Sequence, residues 1–312
     1  MIRKIVPFFI CIGLSSDLFA QTTIDSSITF GKKIITLSEV VVNNKLNVLG
    51  FIQRIKDDTS FYKAFRNLHI LGYSAINDVR ILQKNGASQA TCFSKIKQIV
   101  QNNCRHMEVL EEQTTGDYYD ENHQYNYYTS QMYASLFFTN GIICGEGNIV
   151  TGREFAIKDK SGMEKHKEQL KMLFFNPGKK ISGLPFISGK TAIYDDEMAH
   201  VYDIHIDMDD YNKTSCYIFT QKVKPGMEDK AVVDEMTTWF NDKTFEVVER
   251  NYSLSYDAGV YDFNVQMEVQ MTHSGEYLVP SLIRYTGNWK AIFKKRERAV
   301  FTATLFDFAP NP

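Results

Sequence analysis

Little in this chain points to catalysis on a familiar template. It has no CxxC pair and no Cys/His spacing of the zinc type, so a metal scaffold is set aside. GxSxG, HExxH and Walker motifs are absent too, and no cofactor and no enzyme activity are expected. Positive charge is not in excess, with 35 Lys and Arg against 37 Asp and Glu in 312 residues. A nucleic-acid partner would call for a clustered positive field, so none is expected. The apolar run Ile5 to Leu14 is too short to span a bilayer, which takes about 20 residues. Arg3 and Lys4 precede it and Ala20-Gln21 follows, so residues 1–20 read as a signal peptide. Its removal leaves no transmembrane segment in the mature chain. The protein is expected to be exported, to the periplasm or the extracellular space.

Cysteine is sparse. Four remain beyond the leader, Cys92, Cys104, Cys144 and Cys216, and an exported compartment permits disulfides. All three connectivities stay open, and two reduced, buried thiols are as acceptable as a second bond. GIICGEG around Cys144 has neither the lysine nor the spacing of a phosphate loop.

What the chain does have is strand pattern. From Tyr261 to Met271 apolar residues alternate strictly with Asp262, Asn264, Gln266, Glu268 and Gln270. Successive strand side chains point to opposite faces, so a period of two predicts a long strand with one face buried and one wet. Further strands are read at His200 to Met208, Thr214 to Val223, Met236 to Phe240, Thr244 to Tyr256, Tyr277 to Thr286 and Arg298 to Phe308. Short turns link these strands into an antiparallel meander. Pro280 has no backbone donor, which places an edge or a bulge in its strand. Asn85-Gly86 predicts a tight primed hairpin after Val79 to Gln83, and Met107 to Thr114 is another strand.

Helical spacing is confined to a few stretches. Leu46, Leu49, Ile52 and Ile55 share one side, and Asp58 to Ser60 can cap a second piece bearing Phe61 and Phe65. Ser161 and Glu164 form a capping box for a helix running to Phe175. The organisation expected is an extended lead-in at 21–44, then a single β-rich domain at 45–312, with a helical and loop region inserted at about 115–190.

Three clusters invite chemistry. Asp203, His205 and Asp207 lie on one strand face and have metal-ligand types, although a wet sheet face explains them as well. Lys290, Lys294, Lys295, Arg296 and Arg298 form a basic run that suits a solvated sheet edge. The loop 117–128 carries Tyr118, Tyr119, Tyr125, Tyr127 and Tyr128, rings that can bind a glycan or an envelope protein, or fold back on the domain.

Two resemblances add to this reading. Ile34 to Val42, containing ITLSEVVV, is similar to a segment found in bacterial envelope proteins and suggests an extended strand. Met236 to Tyr256 with its turn Asn241-Asp242-Lys243-Thr244, followed by Ser274-Gly275-Glu276 and Val279-Pro280, resembles the periplasmic lipoprotein-carrier (LolA/LolB-like) fold. That resemblance implies an α+β fold, a long curved antiparallel sheet forming an incomplete barrel, with amphipathic helices on its concave face. It also implies an apolar ligand, a lipid or acyl chain, between sheet and helices. The lining would be Phe263, Val265, Met267 and Val269 on the sheet, covered by Phe61, Phe65 and Leu170. The segment from about 85 to 190 is longer than a minimal carrier needs. The alternative function is a surface interaction or glycan-binding module built on the tyrosine loop.

Overall fold

The computed structural model describes residues 26–150, 172–181, 189–257, 261–291 and 295–310. The signal peptide, most of the helix expected from Ser161, and Leu170 lie outside the described residues.

The chain opens with the hairpin β1 (Ser26–Phe30) and β2 (Lys33–Leu37), followed by helices α1 (Glu39–Asn43), α2 (Val48–Asp57) and α3 (Ser60–Asn67). Strands β3 (Leu71–Leu82), β4 (Ser88–Gln101) and β5 (Cys104–Thr115) come next, then helix α4 (Tyr128–Phe137) and the short β6 (Ile143–Cys144). The rest is strand: β7 (Tyr202–Tyr211), β8 (Thr214–Val223), β9 (Val233–Asn241), β10 (Val247–Asp257), β11 (Tyr261–Ser274), β12 (Tyr277–Ala291) and β13 (Glu297–Pro310).

All thirteen strands form one open sheet in the order β1-β2-β7-β8-β9-β10-β11-β12-β13-β3-β4-β5-β6. The meander runs unbroken from β7 to β13. It then joins the β3–β4 hairpin through β13 and β3, where Phe301 faces Val79. The β2–β7 pair is parallel, with Ile35 opposite Ile204. In β11 the predicted alternation becomes burial: Phe263, Val265, Met267 and Val269 are buried on the inner face.

The helices lie across that inner face. Phe51 of α2 sits among Tyr217, Phe219, Phe240 and Phe245, with ring centroids 5.4 to 6.3 Å away. Phe61 of α3 packs on Tyr252 at 6.4 Å and lies under the Arg250 guanidinium at 4.3 Å. The helical turn at 172–175 brings Phe174 against Tyr285 and Trp289. Tyr133 of α4 packs on Phe301 at 4.6 Å and donates to Asn77 Oδ1 at 2.5 Å.

Several local expectations change in the fold. The extended run from Ile34 ends at Leu37, because Ser38 starts α1 and turns Val40 to Val42 into helix. The β3–β4 hairpin forms, but only Gly86 is left-handed in its loop (φ 86°), and Gln83 N donates to Ala87 O at 2.8 Å. Adjacent left-handed residues, as a primed type I turn requires, occur instead at Asn102-Asn103 between β4 and β5 and at Asn212-Lys213 between β7 and β8. Pro280 sits beside a register shift opposite Gln270 and Met271, where β13 does not pair with β12.

Candidate functional site

The end of α3 sets the site. Arg66 and His69 are three residues apart at its C-terminus, so both project to the same side, where positive charge suits the helix dipole. Gln98 of β4 and Arg105 of β5 approach from the sheet, and the Asn102-Asn103 turn makes those two strands antiparallel neighbours. Directly after that turn Cys104 pairs with Cys144 of β6 and is bonded to it, with Cα atoms 3.9 Å apart. The disulfide thereby delivers Glu146. Of the three possible connectivities one bond forms, and Cys92 and Cys216 are buried thiols. Burial, first among several causes, pushes Cys92 up to about 12 and Cys216 up to about 11, so neither is a thiolate at neutral pH.

Glu146 organises the polar end. Its Oε2 accepts from Arg105 Nε at 2.6 Å, and its Oε1 lies 3.1 Å from His69 Nδ1 but off the line of a hydrogen bond. Arg105 also donates to Gln98 Oε1 at 3.2 Å and to Thr139 Oγ1. Gln98 in turn donates to the Leu68 and Leu71 carbonyls. Arg66 Nη2 donates to Gly147 O at 2.6 Å, and Asn148 Nδ2 donates to Asn67 Oδ1 at 2.8 Å. The strip at 143–148 is thus fastened to α3 and β5 together.

Around these groups lies a chamber of about 450 Å³, within the size range of small-molecule sites. Its apolar wall includes Phe65, Tyr73, Phe137, Phe138 and Phe175. Phe175 lies 4.4 Å from Phe65 and 5.9 Å from Phe137, centroid to centroid. A second cavity of about 220 Å³ lies beyond the polar end, and His69, Arg105, Ile143 and Glu146 line both. Such an arrangement can take an apolar group against the rings and a polar group at the charged end.

The electrostatics carry a pH signature. Burial lowers His69 to about 4, against the attraction of Glu146, and Arg105 and Arg66 push the same way as burial. Burial raises the Glu146 carboxyl, but Arg105 and His69 outweigh it and hold it below the ordinary value. An unfolded imidazole titrates near 6.5, so below that pH the unfolded chain takes up a proton that folded His69 refuses until about pH 4. The His69 contribution is therefore fully present above pH 6.5 and falls by about 3 kcal/mol as the pH drops to 4. Urea unfolding across this window should show the decline, and His69→Gln should flatten it. An unchanged slope in the variant would refute the assignment.

Of the described residues among those proposed from sequence as a ligand lining, Phe65 alone borders the chamber. Phe263 is packed 4.9 Å from Trp289, and Phe61 lies 5.5 Å from Phe65. Neither cavity touches Phe61, Phe263, Val265, Met267 or Val269. In the tyrosine loop, Tyr118 and Tyr127 are buried, and Tyr119 stacks on His123 at 4.0 Å and packs on Tyr125 at 5.2 Å. Tyr128 begins α4, its backbone N donating to Glu297 Oε1 at 2.9 Å. Asp203 stands on the outer face of β7, 3.8 Å from Lys224 Nζ. Among the described residues no Asp, Glu, His and Cys side chains cluster closely enough to hold a metal ion.

Sequence reasoning missed Arg66, His69, Arg105, Glu146, Phe137 and Phe138. The signals available were the three-residue spacing of Arg66 and His69, the adjacent phenylalanines, and an acid two residues beyond Cys144.

No family model and no curated protein matches the sequence. Six solved chains are similar to it, among them two that are matched over most of their length. One is a DUF1329 family protein from Desulfovibrio piger, 12% identical over 81% of this chain and 94% of that one, with a TM-score of 0.25. The other is a putative outer membrane lipoprotein-sorting protein domain from Vibrio parahaemolyticus, 9% identical over 80% of this chain and 92% of that one, with a TM-score of 0.26. Both likenesses are remote.

Proposed function

We propose that this chain is a non-enzymatic, exported envelope protein that binds an apolar ligand, a lipid or acyl chain, between its sheet and its helices. The observation that carries the reading is the chamber of about 450 Å³ walled by Phe65, Phe137, Phe138 and Phe175. Each ligand methylene buried there contributes about 0.8 kcal/mol. The leader-like residues 1–20 and the Cys104–Cys144 bond support export, because disulfides persist in oxidising compartments. The tyrosine loop is the less favoured site, since its rings are spent largely on one another and on the domain.

Native mass spectrometry of protein purified from its own envelope, followed by lipid extraction, tests the reading. A discrete added mass that extracts as lipid is expected. Leu136 borders the chamber, so Leu136→Trp should fill it and weaken uptake of a fluorescent fatty acid at least tenfold without loss of fold. A bare polypeptide mass together with no saturable uptake by the wild type would sink the proposal.

A further inference from the structure

The chamber holds a cation that the surrounding fold leaves unneutralised. Arg105 is matched by Glu146, Gln98 and Thr139. Arg66 has one hydrogen bond, to Gly147 O, and among the described residues no carboxylate within ion-pair distance. Its Nε–H is buried without an acceptor. A guanidinium carries five N–H donors and is always charged, so leaving most of them unused in a partly buried site costs free energy. His69 is neutral above about pH 4 and so adds no further positive charge. Among the described residues the polar end therefore sets two guanidinium groups against one carboxylate, an excess of one positive charge.

The opposite wall imposes a different demand. Phe65, Phe137 and Phe175 present ring surface, which a small hydrophilic anion would leave uncovered. We propose that the ligand is an anionic amphiphile, its carboxylate or phosphate head paired with Arg66 and its hydrocarbon tail lying against these rings. The inference rests on the chamber being the binding site and adds to it the charge class of the ligand. Charge-assisted bonds to a planar guanidinium are among the stronger polar contacts, so the preference for a charged head should be large.

Calorimetric titration of the full mature chain with dodecanoate, dodecyl phosphate, 1-dodecanol and inorganic phosphate provides the test. The two charged amphiphiles should bind at least tenfold more tightly than dodecanol, and inorganic phosphate should give no saturable heat. In Arg66→Met the ratio of dodecanoate to dodecanol affinity should fall to about one, and Arg66→Lys should restore part of it. Equal wild-type affinity for dodecanoate and dodecanol, or a ratio unchanged in Arg66→Met, would overturn the assignment of charge. Phosphate binding as tight as dodecyl phosphate would mean a plain anion site and would also overturn it. If no amphiphile binds, the chamber itself is not a ligand site, and the broader reading fails first. The wild-type selectivity decides the matter even if a variant does not fold.

Discussion

Replacing Cys104 or Cys144 by serine is expected to lower the free energy of unfolding by about 4 kcal/mol, the chain-entropy value for a loop of this size. The two cysteines are 40 residues apart, and the loop they close contains the tyrosine cluster and α4. Much of the effect should arise in the unfolded state, which gains conformational freedom when the crosslink is absent. A local effect should accompany it. β6 meets β5 only at Cys104–Cys144 and Arg105–Ile143, so without the bond the strip bearing Glu146, Gly147 and Asn148 rests on its side-chain contacts with α3 and β5. Denaturant unfolding with and without a thiol reductant measures the first effect, and hydrogen exchange at 143–148 measures the second. A midpoint insensitive to reductant would show that the bond contributes nothing.

Phe301→Ala should cost about 4 kcal/mol, the range found for deleting a fully buried aromatic ring. Phe301 is 2% exposed and joins four elements. Its ring stacks on Tyr285 of β12 at 4.5 Å, meets the tilted ring of Tyr133 of α4 at 4.6 Å, and meets Phe137 edge-on at 5.9 Å. Its own strand, β13, is the seam between the meander and the β3–β4 hairpin. The cavity left would separate α4 from the sheet, so ligand uptake should fall along with the unfolding midpoint. Phe301→Leu, which keeps much of the volume, should lose less than half as much. Equal losses for the two variants would mean that ring packing is not what matters there.

The fold was legible where information is local. Alternation in β11, turn residues at 241–244 and the helical spacing of α2 and α3 all report on side chains a few positions apart. Helix α4 was not legible, and its cap explains why. Both oxygens of Glu297 accept from the start of the helix, Oε1 from Tyr128 N and Oε2 from Thr129 N at 2.7 Å, across 168 residues or more of sequence. The N-cap position itself is Tyr127, which supplies no side-chain cap, and Asn126 stands one position too early, so the stretch looks like a loop.

For the candidate site the sequence reading proposed a lining between helices and sheet, and of those residues Phe65 borders the chamber. It set four more on the centre of the meander, where Val265 and Val269 are wholly buried and Phe263 packs on Trp289. Residue type does not distinguish a packed apolar face from a cavity wall. Only the spacing between elements does.

The sequence by itself determined that a long antiparallel meander forms, which side of each strand is dry, and that apolar helices must cover it. Period and turn chemistry act between neighbours in the chain, so they survive without a tertiary context. The tertiary structure decided which strands meet across long separations, β13 on β3 and β2 on β7, and which cysteines bond. It also decided that Arg66, His69, Arg105 and Glu146 converge while Arg66 keeps an unspent charge. Those outcomes depend on how loops close and what remains unfilled after packing, and no window of sequence contains that information.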